Sequence, residues 1–248
     1  MVQYGFFFDQ SRCHGCNICQ VACKSWNMLP PGPEKWMRVY QWEKGSFPNV
    51  RVHTAAVFCY QCENPVCVDA ADGAMYKEEK YGAVLIDPDK ATSASMRKAF
   101  VACPYGAIAF DSDAPDAKAS MCTMCIDRLE QDKLPVCVES CPQRAFEFGP
   151  FDEIQKKYGA NRDLEDLPDS NLAKPAIIFK PHNPRKQVVP YDANKALTLL
   201  QNREGLPQVF ADKSDVLDIP ADTVGRGKLN LHAKSTKELM LQTQDDTA

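Results

Sequence analysis

The sequence predicts an α+β protein: two small units that share a strand, cysteine loop, helix, strand pattern, followed by an extended C-terminal segment. Three observations carry that prediction. The chain holds 12 cysteines in 248 residues, in tight groups, so its conventional apolar core is modest. Short apolar runs flank those groups and alternate with helix-forming stretches. Beyond residue 150 the cysteines stop and proline-rich and polar sequence takes over.

The elements follow in order. "YGFFFD", residues 4 to 9, reads as a short buried strand that leads into the first cysteine loop. "QVACKSWNML" reads as a helix that stops at Pro30-Pro31. Between 31 and 52, Arg38, Tyr40 and Trp42 alternate with their neighbours as in a strand. "MYKEEKYGAVLID" is a hairpin turning near Lys80, and "SASMRKAFVA" is helical by composition. A polar loop runs from Ser112 to Ser120. "FDEIQKKYG" is a short helix ended by Gly159, and "KPAIIFKPHNPRKQVVPY" is extended. "DANKALTLLQNR" is a capped amphipathic helix from Asp192. Residues 1–30 and 110–150 would close one unit, 50–110 an inserted second unit, and 151–248 an extended segment that wraps a partner.

Composition narrows the function. Net charge is −4 with both signs mixed, so no basic stripe points to nucleic acid. No run approaches the roughly 18 apolar residues of a membrane span. The opening "MVQYGFFFDQSR" has no basic n-region and its apolar stretch ends at Asp9, so it does not read as a secretory signal. The expected compartment is therefore cytoplasmic by default, with export alongside a signal-bearing partner as the other route. In a reducing compartment, many cysteines point to metal rather than disulfides.

By spacing the cysteines form four sets. Cys13, Cys16, Cys19 and Cys23 read C-x2-C-x2-C-x3-C; Cys59, Cys62 and Cys67 read C-x2-C-x4-C. Cys103 stands alone before Pro104, and Cys122, Cys125, Cys137 and Cys141 are closed by Pro142. Three cysteines at successive i+3 positions let one loop wrap three corners of a 4Fe–4S cubane, while the fourth points to a second cluster. Zinc prefers two facing C-x2-C knuckles, which the first set serves poorly. A disulfide framework suits an oxidising compartment. Iron–sulfur is the reading that uses every spacing.

Crossed ligation then accounts for each cysteine. Cys13, Cys16, Cys19 and Cys141 would hold cluster one; Cys23, Cys122, Cys125 and Cys137 cluster two; Cys59, Cys62, Cys67 and Cys103 cluster three. This is the bacterial 4Fe–4S dicluster, ferredoxin-like pattern, repeated with one site missing. Ala71 stands where the missing site's outlying cysteine would be. Counting back from Cys103 gives Ala99, Met96 and Ser93 for its other three, whereas counting on from Asp87 gives Ala91, Ala94 and Arg97. The two registers differ by two residues, so a small insertion is expected there.

These sets, with "CTMCIDRLEQDKLPVCVESCP" last and "YGAVLIDPDK" before "ACPYGAI", resemble the electron-transfer subunits of the dimethyl sulfoxide reductase family of molybdopterin oxidoreductases. The resemblance covers about residues 1 to 150. The three-cluster count is most similar to small subunits of the pyrogallol–phloroglucinol transhydroxylase and resorcinol hydroxylase type. It implies a heterodimer with a molybdopterin-containing catalytic large subunit, bearing molybdenum or tungsten, in anaerobic metabolism. This chain would be non-catalytic and relay electrons to or from that partner. Two alternatives remain at this point: a free-standing polyferredoxin, and clusters mainly structural beside a redox-neutral transhydroxylase-type subunit. No nucleophile–base pair, phosphate loop or dinucleotide fingerprint suggests catalysis here. His14, His53, His182 and His232 share no ligand spacing, and Trp26, Trp36 and Trp42 read as packing residues. Arg128 and Lys133 read either as charges that tune a cluster or as a solvated face.

Overall fold

A computed structural model describes residues 2–45 and 51–182. Strand β1 (Tyr4–Asp9) carries three consecutive phenylalanines, and both its faces are covered. Phe6 and Phe8 enter the main core, where Phe6 meets Phe58 edge-on at 4.9 Å between ring centroids. Phe7 enters a second, smaller cluster and stacks on Tyr158 at 3.6 Å. A strand buried on both faces needs no polar alternation, which is why "GFFF" is an unbroken apolar run.

The first cysteine loop leads into α1 (Ile18–Trp26), capped at Asn27, whose backbone N–H donates to the Cys23 carbonyl. Strands β2 (Met37–Lys44) and β3 (Arg51–Phe58) form an antiparallel hairpin, paired from Met37↔Phe58 to Lys44↔Arg51. The strand expected over 31–52 is thus one arm of a ribbon whose tip, 46–50, lies outside the described residues. The chain continues through α2 (Val66–Ala70), the hairpin β4 (Met75–Lys77) and β5 (Val84–Ile86), and α3 (Ser93–Ala102). Strands β6 (Ile108–Phe110) and β7 (Ala119–Met121) pair, so the Ser112–Ser120 loop gives way to strand at Ala119. Two short helices, α4 (Ile126–Leu129) and α5 (Val136–Glu139), precede β8 (Phe146–Pro150). Helix α1 packs on α5, and α2 on α3.

The stretch after 150 requires a correction. Helix α6 (Phe151–Tyr158) and strand β9 (Ile177–Lys180) belong to the fold, not to a partner-wrapping segment. The central sheet has the order β8-β1-β9, with β9 parallel to β1 and Phe6 opposite Ile177. Ala176, Ile177 and Ile178 have no exposed surface. The loop before β9 is also tied in: Glu63 N–H donates to Lys174 O at 2.8 Å, and Ala176 N–H donates to Tyr60 O at 2.9 Å. Apolar burial and a filled edge of β1 hold this stretch in place. The amphipathic helix expected from Asp192, and the rest of the expected wrapping segment from 183 onward, lie outside the described residues.

The pseudo-repeat is visible in two turns. Asp9 Oδ1 accepts the Ser11 N–H at 2.9 Å and its carboxylate pairs with Arg12. Asp87 Oδ1 accepts the Asp89 N–H at 3.1 Å and pairs with Lys90. The first turn opens into a cysteine loop, but the second opens into α3. Thr92 caps that helix through a reciprocal bond with Ser95, and Met96 and Ala99 are buried. Cys103 N–H donates to Ala99 O at the end of α3, and the Asp87 turn repeats the Asp9 turn.

Candidate metal centres

Three of the four C-x2-C steps are shaped by a left-handed residue just before their second cysteine. These are Gly15 (φ 68°), Gln61 (φ 52°) and Met124 (φ 59°). That conformation turns successive side chains inward at a steric cost to non-glycine residues. Asn17 (φ 59°) repeats it before Cys19 joins α1. The two Cys-Pro closures are also alike. Cys103 and Cys141 both start C-P-x-x-A, with left-handed Gly106 (φ 54°) and Arg144 (φ 51°) before the alanine. Ala107 N–H then donates to Cys103 Sγ at 3.5 Å, and Ala145 N–H to Cys141 Sγ at 3.3 Å.

The structure places the twelve thiols as follows. Cys13, Cys16, Cys19 and Cys141 line one small cavity with Val39 and Phe146. Burial pushes the Cys19 thiol up to about 12, assisted by its neighbours Cys13, Cys141 and Cys16. Cys23 is likewise raised to about 12 by burial and then by Cys125, while Asn27 Nδ2 donates towards its sulfur at 3.7 Å. Burial raises Cys122 and Cys137, and each has Cys23 and Cys125 as neighbours. Cys62 rises to about 12 and Cys67 to about 11, through burial and then nearby thiols that include Cys103. Cys59 is raised by burial, then by Cys62, Cys122 and Cys67.

These surroundings fit iron–sulfur clusters as resident groups. Buried thiols crowded together resist ionising singly, and a cationic metal core that takes their place against protons removes that penalty. All twelve cysteines are free of disulfides. Among the described residues, no group of three or more His, Cys, Asp or Glu side chains converges on a single metal ion. Cys16 is exposed and Cys103 and Cys122 are half-buried, so the sites differ in access to water.

Side chains that no spacing advertises brace these loops. The β2–β3 ribbon holds the first loop: Gln41 Nε2 donates to His14 O at 3.1 Å and Thr54 Oγ1 to Cys13 O at 3.0 Å. From the same ribbon, the Arg38 guanidinium donates to Gly106 O in the Cys103 closure. Lys77 on β4 sends its ammonium to Cys62 O at 2.8 Å, and burial lowers its pKa. Arg128 is not on a solvated face: it is buried, donates to Leu134 O at 2.7 Å and to the Glu139 carboxylate, and lies 4.5 Å over the Trp26 ring. It spans the interval between Cys125 and Cys137. Lys133 sits on the exterior and reaches Gln131. Trp36 donates to Ser120 and Trp42 to Asp166, as packing residues with satisfied indoles. His53 is buried against Trp42, and His182 meets Gln10 through its backbone; His232 lies outside the described residues.

Residues 50–151 match the family model described as a 4Fe-4S dicluster domain. The chain is 39% identical over 191 residues to the B subunit of the anaerobic dimethyl sulfoxide reductase of Escherichia coli (strain K12), covering 73% of this chain and 89% of that protein. It is 32% identical over 193 residues to the Haemophilus influenzae protein of the same description, covering 73% and 91%. The pyrogallol hydroxytransferase small subunit of Pelobacter acidigallici is 29% identical over 194 residues, with 73% and 69% covered.

Proposed function

The chain belongs to the family of iron–sulfur B subunits of anaerobic dimethyl sulfoxide reductases, and from that premise we propose that it carries three 4Fe–4S clusters and relays electrons for a molybdopterin-bearing catalytic subunit. As an iron–sulfur subunit of an oxidoreductase complex it works with a catalytic partner. The proposed ligands are Cys13, Cys16, Cys19 and Cys141; Cys23, Cys122, Cys125 and Cys137; and Cys59, Cys62, Cys67 and Cys103. The observation that carries this reading is the meeting of thiols remote in sequence, Cys19 with Cys141 and Cys62 with Cys103. When bound, a cubane takes up and returns one electron with little rearrangement.

The protein's own part is to fix and shield. Loops with left-handed turns set the thiols, backbone amides aim at the sulfurs, and burial excludes water. Adjacency also supports an order. Cys137 has Cys19 among its neighbours and Cys59 has Cys122, so the second site lies between the other two. Among the described residues no helix is long and apolar enough to cross a membrane. We propose that the chain shares the compartment of its catalytic partner, the cytoplasm by default or the periplasm where a signal-bearing partner exports both. Likeness to the hydroxytransferase small subunit supports a second reading, in which the clusters serve structure beside a redox-neutral reaction.

Anaerobic purification with the partner tests the first reading. Iron and labile sulfide should each reach about 12 per chain, and the partner should contain molybdopterin. Rapid reoxidation of the reduced clusters on adding the complex's oxidising substrate favours relay; clusters that stay reduced through turnover favour the structural role.

A further inference from the structure

We infer that Gln61 is the positioning residue that ties the second thiol site to the third and sets the electronic contact between them. The inference rests on the three-cluster reading above. Gln61 sits inside the Cys59–Cys62 loop, has no exposed surface, and holds a left-handed backbone at φ 52°. Its side chain leaves that loop altogether. Nε2 donates to the carbonyl of Cys122, 61 residues away, at 3.1 Å. Oε1 accepts the backbone N–H of Val84 on β5 at 2.7 Å. A backbone N–H can only donate and a carbonyl can only accept, so the two partners fix the orientation of the amide. The main-chain carbonyl of Gln61 accepts in turn from Gln3 Nε2 at 3.2 Å.

One residue therefore belongs covalently to the loop between two ligands of the third site and is hydrogen-bonded to a ligand residue of the second. Cys59 and Cys122 are already neighbours across this gap. A strained, fully buried polar residue is costly to keep unless its groups are matched, and here both side-chain polar atoms and the main-chain carbonyl are paired. A structural filler could have been apolar. The amide instead supplies a donor at Cys122, and donors near a ligand raise a cluster's potential by favouring the more negative reduced state. The same hydrogen bond gives a continuous route of bonds from Cys122 through Gln61 to Cys62.

Two variants in the full complex test this. Gln61→Met keeps length and apolar fit but has no strong donor or acceptor. It should weaken the magnetic interaction between the reduced second and third clusters and shift the potentials of both, leaving the first unchanged. Gln61→Glu keeps the acceptor for Val84 but turns an oxygen towards the Cys122 carbonyl, so the second cluster's potential should fall most. Unchanged spin coupling and potentials in either variant that retains three clusters would overturn the inference. If the unaltered complex itself lacks three separable cluster signals, the three-cluster reading fails instead. Should Gln61→Met not assemble, Gln61→Glu still decides the case.

Discussion

Ile177 lies opposite Phe6 in a parallel ladder, although 170 residues separate them, and both side chains are fully buried. The pairing makes β9 one flank of the central sheet rather than the start of a tail. Deleting 160–248 would remove Ala176, Ile177, Ile178 and Phe179 from the core. Burying each large apolar side chain is worth roughly 1.5–3 kcal/mol, against a typical stability of about 5–15 kcal/mol. That truncation should give insoluble, iron-poor protein. Deleting 183–248 keeps β1, β8 and β9 together and should leave a brown protein with full iron. Iron analysis of the two truncations checks the difference, and co-purification shows whether 183–248 binds the partner.

Cys103→Ser and Cys141→Ser test the crossed ligands. Serine oxygen is a harder, more basic donor than thiolate, so each change should perturb one cubane or convert it to a 3Fe–4S form. Cys103→Ser should alter only the cluster of Cys59, Cys62 and Cys67, and Cys141→Ser only that of Cys13, Cys16 and Cys19. Paramagnetic resonance of reduced samples distinguishes them. Three unaltered signals in Cys103→Ser would make Cys103 an ordinary buried thiol.

Gly15→Ala should damage the first site selectively. At φ +68° an alanine costs about 1–2 kcal/mol. Its Cβ would also collide with the side-chain amide of Gln41, which braces the His14 carbonyl. Faster loss of one cluster in air is expected, with the other two unaffected. Adding Gln41→Ala should relieve the clash but not the backbone strain, so recovery should be partial.

Arg128→Met should loosen the segment between Cys125 and Cys137. The change strips a donor from Leu134 O and a partner from Glu139. Leu134 and Glu139 are both exposed enough for water to replace the guanidinium. The loss is chiefly the brace and its stacking on Trp26, about 0.5–1.5 kcal/mol as for a typical hydrogen bond. Arg128→Lys should restore little, because an ammonium lacks the planar fork that reaches both acceptors while stacking on Trp26. Thermal bleaching of the second cluster's absorbance reports the loss.

Lys77→Met removes a half-buried positive charge beside the Cys62 carbonyl. A cation favours the reduced, more negative cluster, so its removal should lower the third cluster's potential. Potentiometric titration followed by paramagnetic resonance measures the shift, and the first cluster serves as the internal control.

Much of this was legible because it is local. The strand at 4–9, the hairpin around Lys80, and the helices at 93–102 and 151–158 follow from runs, breakers and caps close at hand. The cysteine groups are local too, since each loop's spacing is its own. What escaped depends on distant parts of the chain. "IIFK" between prolines looks like a tail because the strand that covers it begins at Tyr4. Gln61, Arg38 and Lys77 look like ordinary polar residues until the fold aims them at cysteine carbonyls or closures. For Arg128 the sequence leaves a tuning charge and a solvated face equally open, because its burial depends on Trp26, contributed by α1. The absent fourth site was readable as a lack of cysteines. The helix over 93–102 that fills the segment was readable too, but the burial of Met96 and Ala99 was not.

The central sheet also constrains the order of events in the cell. Its middle strand, β1, leaves the ribosome first, while both neighbours, β8 and β9, are among the last described elements to emerge. Nascent protein up to Phe110 therefore has Phe6 without Phe148, Phe8 without Phe146 and Phe7 without Tyr158, and Cys13, Cys16, Cys19 and Cys23 still lack their proposed companions. Such a long-range closure is slow and leaves sticky surface in the interim. Closure of the central sheet, and with it completion of the first site beside it, is thus expected only after synthesis has passed Lys180.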